Sequence, residues 1–405
     1  MALNNLERFI DAARNPLAIG SLFERDPESL TTLLQIFSTS QHLSDLLIRD
    51  PESYDLLRLT EGQPVARDDL VAELISEIDV LSDDRAVMSA LRRFKRRETL
   101  RIAYGDIVRG QPLATVTRQI SYLAEAILEG ALRCARRTWE EKRGVPRDRR
   151  GERVPFVILA LGKLGGGELN YSSDIDLICL YGEEGQTDGR GSRSNHEFFQ
   201  RLVRELIRLL TESHELGTTY RVDLRLRPEG TQGAAACSVE SALRYYDLSG
   251  RTWERQAYVK ANPVAGDLEL GRTFLKQLEP WIYRRYLSLA DITGIKTLKR
   301  RIERRTDREG EAALNVKTGH GGIRDIEFAI QFLQLLNGAA LPKLRTGNTL
   351  EAIARLEQTG CLTFQERAIL EENYAFLRKI EHRLQIVFDL QTHVLPEQED
   401  ERRKL

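Results

Sequence analysis

The sequence predicts a mainly helical chain interrupted once by an α+β unit. Two observations predict it. Helix-period apolar patterns fill both ends, and between them short β-rich apolar runs bracket a glycine cluster, "GKLGGGELNYSSDIDLICLY", at 162–181. A chain of 405 residues exceeds what one core normally covers. The pattern divides it into a helical region at 1–143, an α+β unit at 150–267 and a second helical region at 268–405.

The first region holds "RDPES" twice, at 25–29 and 49–53. Each copy has Asp as a helix N-cap, Pro at the first helical position and Glu in the first turn. Further on, Val87, Leu91 and Phe94, then Val116, Ile120, Leu123 and Ile127, recur at helical spacing. The charged, Gly- and Pro-containing stretch 140–153 is expected to be a linker. Next, 154–162 and 174–181 read as buried strands, 183–195 as a polar loop and 196–212 as an amphipathic helix. The stretch "YRVDLRLRP", 220–228, alternates strictly and reads as a half-buried strand ended by proline. Beyond it, "KTGHGG", 317–322, opens the helix 323–336.

Composition narrows the function. The formal net charge is −1, so no global basic field argues for nucleic acid. No run of about 18 apolar residues argues for a membrane span. The N-terminus lacks the basic and apolar segments of a signal peptide. Four scattered cysteines, Cys134, Cys179, Cys237 and Cys361, form no CxxC or zinc spacing, and are expected to be reduced cytosolic thiols.

The glycine stretch carries the chemistry. Along a strand Asp174 and Asp176 point to one face, roughly 7 Å apart, while Ile175 and Leu177 face the core. Two carboxylates that close repel unless a cation lies between them. Mg²⁺ takes such oxygen ligands together with phosphate oxygens. Gly165, Gly166 and Gly167 would let backbone N–H groups approach a phosphate. Lys163, Ser172 and Ser173 would add donors. If the 220–228 strand neighbours the Asp-Ile-Asp strand, Asp223 becomes a third metal ligand and Arg225 and Arg227 lie beside the phosphates. Three carboxylates and a glycine loop match two-metal nucleotidyl transfer. Seven residues separate Gly166 from Asp174, a tighter loop than is common for that chemistry. The "KTGHGG" turn is either a plain turn or an anion site at a helix start, with Lys317, Gly322, Arg324 and Glu327 as its candidates.

Other features read as structural. The basic runs 92–97 and 299–305 are expected to be solvated helix faces. The six histidines form no metal pattern, and only His320 falls near a candidate site. Trp253, Tyr258, Tyr283 and Tyr286 read as packing residues.

The residues also carry a resemblance. "GKLGGGELNYSSDIDLICLY", "YRVDLRLRPEG", "WERQAYVKANPVAGD" and "KTGHGGIRDIEFAIQFLQLL" closely resemble the glutamine synthetase adenylyltransferase family. The likeness extends over essentially the whole chain, including 43–52 and 91–103. It implies a polymerase β-like nucleotidyltransferase fold, with a mixed sheet carrying the Asp-x-Asp site between helical regions. Full-length members of that family are bifunctional, with two tandem catalytic domains. The N-terminal one removes AMP from a tyrosine of glutamine synthetase by phosphorolysis, giving ADP. The C-terminal one adds AMP from ATP.

Here the glycine and Asp-x-Asp block occurs once, after about 150 largely helical residues, and the chain stops in "EQEDERRKL". The resemblance therefore implies the N-terminal, adenylyl-removing half. It implies Asp174 and Asp176, with Asp223 as the third, as the metal carboxylates, two Mg²⁺ ions, a cytoplasmic setting, and PII-type signalling proteins as partners. Two rival readings stay open: a nucleotidyltransferase with another target, and a silent regulatory module.

Overall fold

The computed structural model describes residues 2–39, 41–213, 215–284, 293, 314–388 and 392–402. It is mainly helical around a mixed sheet. The basic run 299–305, Tyr286 and His214 lie outside the described residues.

Five short helices come first: Ala2–Ala12, Pro16–Arg25, Pro27–Thr39, Gln41–Arg49 and Ser53–Thr60. They enclose their own core of Phe9, Leu33, Phe37, Leu47 and Tyr54. The two "RDPES" copies make the same Ser–Asp contact, but only the first starts a helix at its proline; in the second the helix begins at Ser53 with Glu52 at the cap. Ser29 Oγ donates to Asp26 at 2.5 Å, and Ser53 Oγ to Asp50 at 2.6 Å. The copies also touch, because Tyr54 Oη donates to the Ser29 carbonyl at 2.5 Å.

The helices Arg67–Ile78, Asp84–Ile107 and Leu113–Arg143 follow. Their predicted stripe residues, from Val87 to Ile127, are all buried. The basic run 92–97 departs from its expected solvated face. Arg92 is 1% exposed and donates to the carbonyls of Gly217 and Glu212, at 2.5 Å each. Arg96 donates to the Leu216 carbonyl at 2.8 Å. These carbonyls belong to the turn after the Asn195–Thr211 helix, where cations are favoured.

The strands are β1 (Pro146–Arg147), β2 (Phe156–Ala160), β3 (Ile175–Tyr181), β4 (Gln186–Thr187), β5 (Val222–Asp223), β6 (Ala236–Ser238) and β7 (Asn262–Gly266). The main sheet runs β5-β3-β2-β7, with β6 pairing farther along β3. β2 is antiparallel to β3 and β7, whereas β5 and β6 are parallel to β3. The expected linker and polar loop meet as a small β1–β4 ladder.

Alternation sends each face of β2 and β3 into a different core. Phe156, Ile158, Leu177 and Tyr181 pack with the Leu113–Arg143 and Asn195–Thr211 helices. Val157, Leu159, Ile178 and Leu180 pack with Tyr246, Tyr258 and Phe274. Tyr258 and Tyr283 are buried packing residues, as their sequence context suggests.

The alternating stretch 220–228 forms far less strand than expected. Only Val222 and Asp223 pair with β3. Asp223 Oδ1 accepts from the Arg225 backbone N–H at 2.8 Å, and Arg227 N–H from the Leu224 carbonyl at 3.2 Å closes the next turn. Side chain to backbone bonds of this kind compete with a ladder. Asp223, Arg225 and Arg227 therefore do not share a strand face.

After the Leu268–Ile282 helix, the helices Ile323–Asn337, Thr349–Gln358 and Phe364–Phe388 gather around Ile326, Ile330, Ile353 and Tyr374.

Candidate active site

The site begins where β2 turns into the helical turn Gly162–Gly165. Gly162 has φ +56°, and a Cβ there would lie 2.5 Å from Asp176 Oδ2. Glycine is required on both counts. The Leu161 N–H donates to the Asp176 carbonyl at 2.9 Å, tying this turn to β3. Asp176 pairs in register with Asp223 on the neighbouring strand. Neighbouring strands lie about 4.8 Å apart, so the two carboxylates flank one another.

The electrostatics follow. Burial pushes the Asp176 carboxyl up to about 6, and the charges of Asp223 and Asp174 add to the rise. Lys317 and Arg225 oppose it. Burial also raises Asp223, but the Arg225 guanidinium outweighs it and holds this carboxyl below the ordinary value. Arg225 grips Asp223 through Nε at 2.8 Å and Nη2 at 2.5 Å. Asp174 accepts from Arg221 Nε at 2.5 Å.

Three carboxylates on adjoining strand ends form an all-oxygen donor set, one of them costly to ionise. That chemistry fits a hard divalent cation such as Mg²⁺. Among the described residues, no three His, Cys, Asp or Glu side chains stand ready-arranged as a metal site. Arg221 and Arg225 occupy two of the carboxylates instead.

The glycine cluster does not present the open amide cradle the sequence suggests. The N–H groups of Gly165, Gly166 and Gly167 donate to the carbonyls of Leu161, Gly162 and Leu164. A Cβ at Gly165 would lie 2.0 Å from the Lys260 carbonyl, and one at Gly166 2.7 Å from that of Gly347. These two glycines permit close backbone packing. Gly167, at φ +65°, has open space around its Cβ position.

Lys163 turns away from the carboxylates. Its Nζ lies 2.8 Å from both oxygens of Glu381, on the Phe364–Phe388 helix. Burial first, then Arg378 and Lys317, bring this ammonium down to about 7, against the pull of Glu381. Glu381 itself stays well below the ordinary carboxyl value: burial opposes ionisation, but Lys163, His393, Arg378 and Lys317 prevail. Arg227 is likewise committed, donating to the carbonyls of Gly233, Leu224 and Thr231. Ser172 gives its N–H to Gln385 Oε1 at 2.9 Å, and half-buried Ser173 stands between it and Asp174.

From the "KTGHGG" turn, Lys317 comes near the carboxylates and lies 3.4 Å from His393 Nε2. Gly322 caps the Ile323–Asn337 helix, and the Gly321 N–H is taken by Asp325 at 2.9 Å. The Arg324 backbone N–H donates to the Lys317 carbonyl at 3.0 Å. Glu327 lies inward, 3.1 Å from Lys260 Nζ.

Sequence reasoning missed the buried network behind the glycine turn. Lys260 bonds Glu168, Glu327 and Thr349, and Tyr374 and Arg378 extend the set to Asn170. Surface and core histidines both occur as expected, but His393 beside Lys317 was not singled out. His320 is exposed, whereas His382 is buried against Asn170 and His393 lies 2.9 Å from Glu381. Gly162 was legible as part of the cluster, but its contact with Asp176 was not.

The sequence model of a family described as "Glutamate-ammonia ligase adenylyltransferase" matches residues 30–277. One described as "GlnD PII-uridylyltransferase" matches 296–405. Several relatives carry the name bifunctional glutamine synthetase adenylyltransferase/adenylyl-removing enzyme. That of Hahella chejuensis is 38% identical over 377 residues, 92% of this chain and 39% of its own length. That of Pseudomonas aeruginosa is 38% identical over 400 residues, 96% of this chain and 40% of its own. A Rhodopseudomonas palustris protein is 40% identical over 391 residues, with shares of 94% and 39%. The chain thus spans about two fifths of the length of these relatives.

Proposed function

The chain belongs to the glutamate-ammonia ligase adenylyltransferase family, and from that premise we propose that it removes AMP from an adenylylated tyrosine of glutamine synthetase by phosphorolysis. The observation that carries the proposal is the pairing of Asp176 with Asp223, beside Asp174 and over the Gly162 turn.

In this reading Asp174, Asp176 and Asp223 hold Mg²⁺, with two ions expected. Bound there, the metal would neutralise charge on the reacting phosphates. The remaining work falls to the chain. Inorganic phosphate approaches an AMP phosphate that is also anionic, so cations must line its path. Lys317, Arg221 and the 74% exposed side chain of Arg225 are basic groups that act on the carboxylate cluster. A phosphate oxygen forms the new bond to the AMP phosphorus, the bond to the tyrosine oxygen breaks, and ADP leaves. The phenol has a pKa near 10, so the departing tyrosinate needs only modest assistance before it takes a proton.

In this reading the reaction is removal rather than addition. Lys163 and Arg227 are committed elsewhere, and the few cations left suit a single incoming phosphate better than a triphosphate. We further place the chain in the cytoplasm with glutamine synthetase. PII-type proteins are its expected regulators, a reading supported by the second family match. The test is AMP release from adenylylated glutamine synthetase, with and without phosphate. Phosphate-dependent formation of ADP is expected. Labelling of the unmodified synthetase from ATP, with no release, would overturn the direction.

A further inference from the structure

A cavity of about 550 Å³ lies behind the catalytic strands, walled by the Gln41–Arg49 and Asp84–Ile107 helices, the 216–218 turn and the end of the Phe364–Phe388 helix. Arg49, Arg92, Lys95 and Arg96 line it. Two of the guanidinium groups meet backbone oxygens rather than acids. Arg92 and Arg96 donate to backbone carbonyls, and Lys95 donates to the Thr219 carbonyl while lying over the Tyr220 ring. Among the described residues, no carboxylate forms an ion pair with Arg49, Arg92 or Arg96. Asp45, also in the lining, is taken by Arg8 at 2.8 Å, and Glu212 acts on Arg92 through space.

A second observation points to a ligand. Gln385, 2% exposed, also lines the cavity, and its Nε2 donor is buried with no hydrogen-bond partner. A buried donor left unsatisfied is costly, and unmatched guanidinium groups beside it suit an anion.

We propose that this cavity is a binding site for a small phosphate-bearing metabolite, held by Arg49 and Arg96 above the buried Gln385 amide. The cavity is built into the catalytic unit. Ser172, whose N–H bonds Gln385, stands two residues before Asp174. The 216–218 turn leads directly into β5 and Asp223. An occupant therefore touches both segments that position the carboxylates, which is the arrangement of an effector site.

Pyrophosphate, titrated calorimetrically into the whole chain in EDTA without divalent metal, tests the assignment. One site is expected, with affinity falling at least about tenfold in Arg49→Gln/Arg96→Gln and unchanged in Lys317→Gln. Arg49→Glu, on an exposed stem, gives a second variant whose melting temperature should stay unchanged while binding falls. Absence of binding, equal affinity in the arginine variants, or loss confined to Lys317→Gln would overturn the proposal. Succinate binding as tightly as pyrophosphate would overturn the phosphate assignment. None of these outcomes depends on the direction of AMP transfer.

Discussion

The sheet that carries Asp176 is held in two chemically different ways. Its faces are gripped by hydrocarbon: Phe156, Ile158 and Tyr181 on one side, Val157, Leu159 and Leu180 on the other, all at or near zero exposure. Its loop end is gripped by buried charge. There Lys260, Glu168, Glu327, Arg378, Glu381 and Lys163 join the glycine turn to the C-terminal helices. Apolar contact is non-directional and tolerates small slides. Buried ion pairs are directional, and removing one partner strands the other. The difference teaches where this fold needs stability and where it needs a fixed geometry: the strands need only remain packed, whereas the turn under Asp176 must keep its place.

Breaking the charged grip should have the largest effect. Lys260→Met leaves Glu168 and Glu327 facing one another in a buried site, and a loss of about 3–5 kcal/mol is expected in urea denaturation. A loss under 1 kcal/mol would show that the network contributes little to holding the turn.

Asp176 sharpens the comparison, because its charge is one the fold leaves under-compensated. A carboxyl raised from 3.8 to about 6 costs the folded chain up to about 3 kcal/mol once ionised. The penalty is absent below the unfolded value near 4 and complete above about pH 6. Asp176→Asn should therefore stabilise the metal-free chain at pH 7–8, lose that advantage by pH 4, and abolish AMP release. Thermal melts across that range, paired with turnover, check it; a destabilised variant at pH 8 would contradict the reading.

The smallest effect belongs to the apolar grip. Ile158→Val removes one buried methyl group and should cost about 1 kcal/mol, with turnover unchanged. Denaturant midpoints would register the cost, and a marked loss of turnover would show that the faces also set the geometry.

The same contrast explains what the sequence made legible. The stripes Val116 to Ile127 and Phe199 to Leu210 could be read because burial on a helix repeats every three to four residues. The Asp-Ile-Asp edge could be read because strand alternation separates its acids from its apolar neighbours. The ionic network could not. Glu168, Lys260 and Glu381 are far apart in the chain and each looks like an ordinary surface charge until the fold joins them, while Glu327 reads as part of a turn rather than as their partner. Arg225 and Arg227 misled for a related reason: alternation describes a strand only while side chains do not compete for the backbone, and Asp223 does.

The two short strands on β3 have a mechanical consequence. β5 contributes two residues and β6 three, attached at separate stations along the same seven-residue strand. The chain between them, including Arg225 and the turn closed by Arg227, is off the ladder. Asp223 is thus held by a two-residue pairing that lies between Tyr220, which belongs to one core, and Leu226, which packs against the other. Asp176, by contrast, lies on the seven-residue strand itself, and Asp174 immediately precedes it. The carboxylate cluster is thus assembled from two separate chain segments, one on the seven-residue strand and one on the shortest pairing of the main sheet.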